Sequence, residues 1–129
     1  MINGSVLLTL SRTQKRSMND VLLTLEKILE QRKSATADNS YVASLYTQGT
    51  DKILDKISEE SAEVIKASQD EGNDKIIHEV ADLWFHTLVL LRHKNISIKE
   101  IETELMRRFG VSGHAEKAAR NKSTDEKSS

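Results

Sequence analysis

Apolar side chains begin to recur at three- and four-residue spacing from Asn19, with Val21, Leu22, Leu25, Ile28 and Leu29 as the first set. That spacing predicts a helix fading near Lys33. The small, polar stretch 34–40 (SATADNS) reads as a loop ending in an N-cap residue, Ser40. A short helical turn over Tyr41 to Tyr46 follows, with Gln48 and Gly49 as its stop. Thr50 then reads as the N-cap of a longer helix reaching about Asp70, and Asp51 suits the positive end of its dipole. Gly72 and Asn73 mark the next turn. Asn73 is expected to cap a helix that runs through Trp84 and Leu91 to about Lys94. Ser97 and Glu100 form an S-x-x-E capping box for a last helix ending near Phe109 and Gly110. No segment sustains the alternation of a strand, and the one β-like patch, Ser5 to Leu10, is short. The expected class is all-α, a helical bundle.

Composition adds boundaries to that pattern. A chain of 129 residues suits a single core, and the periodic segment places the domain at 18–110. Residues 1–17 are expected to be a disordered N-terminal extension, with Met18 as a possible true start. The polar tail 111–129 is expected to be disordered as well. The formal net charge of -1 gives no electrostatic case for nucleic acid or a membrane surface. No apolar run approaches the roughly 18 residues of a membrane span. Near the N-terminus the basic residues Arg12, Lys15 and Arg16 follow the apolar patch instead of preceding it, the reverse of a secretory signal. The chain has no cysteine, which excludes disulfides, thiolate metal sites and cysteine nucleophiles and fits a cytoplasmic location.

Candidate chemistry lies on the two long helices. The first contains Glu59-Glu60-Ser61-Ala62-Glu63 and the second Glu79-Val80-Ala81-Asp82. At roughly 100° per residue, Ile53, Ile57 and Val64 share one face of the first helix, with Leu54 and Ile65 beside them. Glu60 falls at the border of that face and Glu63 about 60° farther round, with Lys56 between them in angle. On the second helix Ile76, Val80, Leu83, Trp84, Thr87 and Leu91 are expected to form the buried face. Glu79 and Asp82 flank it about 60° apart, with His86 between them in angle. Two helices joined by a short turn pack antiparallel, which brings the acidic flanks into one groove. Carboxylates crowded beside a core repel and lose hydration, and a hard divalent cation relieves both costs. The expected metal ligands are therefore Glu60, Glu63, Glu79 and Asp82, holding Mg2+ or Mn2+. A solvated acidic face laced with lysine pairs is the competing interpretation, and Lys52, Lys56 and Lys66 could supply such pairs.

E-E-x-x-E followed about fifteen residues later by E-x-x-D resembles the all-α nucleoside triphosphate pyrophosphohydrolase superfamily, which includes MazG-like enzymes and helical dUTPases. Several stretches narrow that likeness: Ser40 to Leu45, Gly49 with Lys52-Ile53, Lys56 to Glu60, Glu79 to His86, and Phe109 to Ala118. With them the chain looks most like the phosphoribosyl-ATP pyrophosphohydrolases, from about Met18 to Arg120. The resemblance implies magnesium-dependent hydrolysis of phosphoribosyl-ATP to phosphoribosyl-AMP and pyrophosphate, in histidine biosynthesis, by a homodimer of helical chains.

On that basis the metal would bridge the triphosphate and orient a water for attack on phosphorus. Glu59, Glu60 and Glu63 are the candidate catalytic acids, and Glu59 would hold a second ion or accept the water's proton. Ser40 and Tyr41, at a helix N-terminus, would contact phosphate or ribose. Lys52 and Lys56 would contact phosphate or pair with neighbouring acids, and Arg108 and Lys117 are weaker candidates. His86 is expected to be packed or hydrogen-bonded in preference to ligating, and Trp84 to lie in the core or a dimer interface. His78, His93 and His114 receive no role. Two other functions remain open at this point: a MazG-like (deoxy)nucleoside triphosphate pyrophosphohydrolase, and a non-catalytic helical dimerisation module.

Overall fold

The computed structural model describes residues 16–109, and these contain five α-helices and no strand. The β-like patch at Ser5 to Leu10, Lys117 and the tail 111–129 lie outside the described residues. Helix α1 spans Met18–Gln31 and starts one residue earlier than the apolar spacing alone predicts. The cause is a capping box: Asp20 N donates to Ser17 Oγ (3.1 Å) while Ser17 N donates to the Asp20 carboxylate (3.4 Å). The periodic run to Lys33 is completed by a single 3₁₀ turn, Arg32–Ser34.

Helix α2 spans Tyr41–Gln48, and Ser40 caps it, its Oγ accepting from Ala43 N at 3.1 Å. Helix α3 spans Thr50–Asp70 and α4 spans Asn73–His93. The two caps expected here are displaced by one residue. Gly49, at φ 93° and ψ -174°, both ends α2 and starts α3, so Thr50 is already helical. Gly72 takes the corresponding place before α4, and neither glycine has a side chain to cap with. Helix α4 ends as expected at Lys94, after which Asn95 adopts a left-handed φ of 59°. Ile96 N then donates back to Leu91 O at 2.8 Å, closing the end of the helix. Helix α5 spans Ile98–Arg107.

The chain divides into two compact units at Ile98/Lys99. In the first, Leu29 of α1, Val42 and Leu45 of α2, Ile53 of α3, Leu88 and Val89 of α4 and Ile98 form the buried core. Tyr46 closes one side of it, donating its hydroxyl to Leu29 O at 2.9 Å and stacking on His93. The Ile98 amide donates to Glu26 Oε2 at 2.7 Å, which ties the chain after α4 to α1. In the second unit Glu104 of α5 pairs with Arg107 and Arg108 at 2.7 and 3.3 Å. Arg108, a weak substrate candidate from sequence, lies just past the end of α5 and pairs with Glu104 of that helix.

Helices α3 and α4 form the most extensive helix–helix interface. Glu60 lies nearest His86 while Lys75 feels Glu63, so residue numbers rise along one helix as they fall along the other: the pair is antiparallel. Of the face expected to be buried on α4, Ile76, Val80, Leu83, Thr87 and Leu91 are half-buried and Trp84 is not. Trp84 is 47% exposed, and the residues buried along α4 include Glu79 and His86. The reason is geometric. The arc of α4 that meets α3 is the one carrying Glu79, Asp82 and His86, and its apolar arc is turned partly away. The core expectation for Trp84 is therefore corrected.

Candidate active site

On α3, Ile53, Ile57, Glu60, Val64 and Ala67 fall within about 80° of arc, so burying the apolar members carries Glu60 inward with them. Its side chain is 13% exposed. Glu63, one turn on but farther round, is exposed. On α4 Glu79 is buried at 4% exposure, deeper than the flank position expected for it, and Asp82 is half-buried.

These acids influence one another. The Glu60 carboxyl is held above its ordinary range, first by burial and then by the negative charges of Asp82 and Glu79, with His86 and Lys56 acting in the opposite direction. Of the four expected ligands, Asp82 and Glu79 on α4 lie near enough to Glu60 on α3 for their charges to act on it. Glu63 stands outside that group and is felt most clearly at Lys75.

Lys75 was not anticipated. Its ammonium lies 3.0 Å from Glu79 Oε1, one turn earlier on α4, and neutralises the most deeply buried carboxylate. That hydrogen bond raises the lysine's pKa. The i, i+4 spacing of Lys75 and Glu79 is readable in the sequence; the burial that gives it weight is not. His78 was missed as well. Its Nε2 lies 3.3 Å from Asp82 Oδ2. One ligand atom each from His78, Glu79 and Asp82 falls within 4.8 Å of the others, a group that can hold a metal ion. The signal was present as H-E-x-x-D, in which the first, second and fifth residues share one side of a helix.

The donor set fits a divalent cation. Hard carboxylate oxygens predominate, two of the carboxylates are withdrawn from water, and Lys75 reaches only one of them. An imidazole beside them suits manganese as well as magnesium.

The expected substrate side is arranged along the rim. Lys56 pairs with Glu59 at 3.2 Å, so of its two open roles pairing is present in this structure, and the hydrogen bond raises its pKa. Glu59, 59% exposed, is the outermost acid of its motif. Lys52 lies one turn before Lys56 and is half-buried. The Ser40 hydroxyl is engaged in capping α2. The Tyr41 ring is half exposed, but its hydroxyl lies 2.8 Å from His86 Nε2. Burial raises the Tyr41 pKa most; Lys56 lowers it, and Glu60, Glu59 and Asp82 add to the rise, so the hydroxyl stays protonated at the edge of the acidic group. His86 is buried and hydrogen-bonded, in line with the packed role expected for it.

The family model described as phosphoribosyl-ATP pyrophosphohydrolase matches residues 22–109, covering α3 and α4 entirely. The chain is 68% identical over 104 residues to the phosphoribosyl-ATP pyrophosphatase of Vesicomyosocius okutanii, covering 81% of this chain and 99% of that one. It is 54% identical over 108 residues to the phosphoribosyl-ATP pyrophosphatase of Hydrogenovibrio crunogenus, covering 81% and 96%. The phosphoribosyl-ATP pyrophosphatase of Neisseria meningitidis serogroup C is 49% identical over 105 residues, with 81% and 98% covered.

Proposed function

This chain belongs to the phosphoribosyl-ATP pyrophosphohydrolase family, and we propose that it hydrolyses phosphoribosyl-ATP to phosphoribosyl-AMP and pyrophosphate in histidine biosynthesis. The observation that supports the chemistry is the group His78, Glu79 and Asp82 on α4, whose ligand atoms lie within 4.8 Å of one another, with the mostly buried Glu60 of α3 near enough for the charges of Asp82 and Glu79 to raise its pKa. Three acids in one partly dry groove have a purpose if a cation and a polyphosphate are to meet there.

In this reading Glu60, Glu79 and Asp82 hold the ion, with His78 beside them and Glu63 at the outer edge. Bound magnesium, or manganese, would neutralise phosphate charge and lower the pKa of a nearby water. Water adds to the α-phosphorus, the bond from that phosphorus to the bridging oxygen breaks, and pyrophosphate leaves. Glu59, at the rim, would take the proton given up by the water. Lys52 and Lys56 face the phosphates, Lys56 exchanging Glu59 for a phosphate oxygen, while Ser40 and the Tyr41 ring border the ribose side.

The enzyme works as a cytoplasmic homodimer. Leu54 and Ile65 on α3 and Ile77 and Trp84 on α4 are exposed large apolar residues, and they lie on arcs away from the acidic group. A second copy of the chain would cover them. No helix among the described residues is long and apolar enough to cross a membrane.

Substrate choice is tested by pyrophosphate release from phosphoribosyl-ATP beside a panel of nucleoside and deoxynucleoside triphosphates. The expected result is a kcat/KM for phosphoribosyl-ATP about a hundredfold or more above the others, a discrimination of roughly 3 kcal/mol. Equal turnover of a deoxynucleoside triphosphate would favour the MazG-like alternative.

A further inference from the structure

His78 has no part in the packing of the core. Its side chain is 63% exposed in the second turn of α4. Yet the run His78-Glu79-Val80-Ala81-Asp82 places it within about 100° of arc of both acids. Its Nε2 lies 3.3 Å from Asp82 Oδ2. One ligand atom from each of His78, Glu79 and Asp82 falls within 4.8 Å of the other two. Donor atoms that share one octahedral ion at bonds of about 2.1 Å stand about 3 Å apart when adjacent and about 4.2 Å when opposite. The three side chains are therefore within reach of a single ion. Side-chain exposure falls across the group, from 63% at His78 through 39% at Asp82 to 6% at Glu79. An ion held there would have protein behind it and water, or a phosphate oxygen, in front.

A nitrogen donor distinguishes between metals where carboxylates alone do so weakly. Mg2+ is a hard ion that keeps oxygen ligands and several waters, whereas first-row transition ions gain affinity from imidazole. We propose that His78 ligates the ion through Nε2 beside Glu79 and Asp82, and thereby tilts the site toward Mn2+ over Mg2+. The plainer account is an exposed pair of His78 with Asp82, which contributes little and is indifferent to the metal. Only a ligand changes the preference between two ions of the same charge. The inference rests on the metal-site reading above and adds to it a nitrogen ligand and the metal preference that follows.

Two measurements on the full chain, loaded with the metal alone, test it. Electron spin-echo envelope modulation of Mn2+ bound to ¹⁵N-histidine-labelled protein should show coupling to a directly bound nitrogen, and His78→Gln should abolish it. A coupling that persists in His78→Gln belongs to another histidine and overturns the proposal, as does its absence from the Mn2+-loaded wild-type protein. Calorimetry gives the second readout. His78→Gln, at an exposed position the core does not use, should weaken Mn2+ binding at least about tenfold. Its Mg2+ affinity should stay within about twofold of wild type. An equal change for the two ions, or no change for either, overturns the proposal and leaves the carboxylate site standing. A wild-type protein that binds neither ion overturns the metal-site reading and this proposal with it.

Discussion

Glu79 and Lys75 show how much of the site depends on single side chains. Glu79 is almost fully buried, and its carboxylate has an ammonium 3.0 Å away. Removing that cation leaves a buried charge facing Glu60 and Asp82 with no counter-charge of its own. Lys75→Met should therefore lower the melting temperature measured in EDTA. It should also enlarge the rise in melting temperature on adding Mg2+, because the ion no longer competes with the lysine. An unchanged melting temperature in both conditions would show that Lys75 has no part in the site. Lys56 makes the contrasting case at the rim. Lys56→Ala should raise KM about tenfold, the loss of one charge-assisted hydrogen bond, while Mg2+ affinity stays near that of the wild type. Glu60, Glu79 and Asp82 stood out in the sequence as candidates because paired carboxylates at i, i+3 are conspicuous. His78 and Lys75 were overlooked because their importance comes from what is buried beside them, and periodicity does not report burial.

At the level of elements the helices follow their sequence signals closely, and the differences are at the ends. Ser40, Asp51 and the apolar spacing placed α2, α3 and α4 to within a residue or two. The early start of α1 came from the Ser17–Asp20 box, one turn ahead of the first apolar residue. Gly49 is the most informative junction. Its φ of 93° with ψ near 180° belongs to a region that a Cβ makes costly, and one residue there lets α2 stop and α3 begin. Nothing lies within 4 Å of a Cβ built there, so Gly49→Ala isolates the backbone cost from any clash. It should destabilise the fold by about 1–3 kcal/mol in urea denaturation. A neutral result would mean that the junction adopts another conformation. The wheel identified the inward side of α3, where Ile53 and Glu60 lie together. On α4 the arc it assigned inside is half-buried apart from Trp84, and it missed the deeper burial of Glu79 and His86.

For the molecule as a whole, a small core coexists with several exposed apolar side chains. The buried cluster holds seven large residues, while Trp84, Ile77, Ile65 and Leu54 stay in contact with water. The proposed homodimer would cover that surface. Trp84→Glu should shift the protein from dimer to monomer in sedimentation velocity, and a wild-type chain that sediments as a monomer would contradict the dimer. In the proposed reading, catalysis and assembly would use different sides of the same two helices. The most direct test of the site and its reaction together is magnesium-dependent pyrophosphate release from phosphoribosyl-ATP by the Glu60→Gln protein. We predict a rate reduced about a hundredfold or more relative to wild type, with weakened Mg2+ dependence and intact helical content. Wild-type rate and Mg2+ dependence in that variant would contradict the assignment of hydrolysis to the α3–α4 acidic groove.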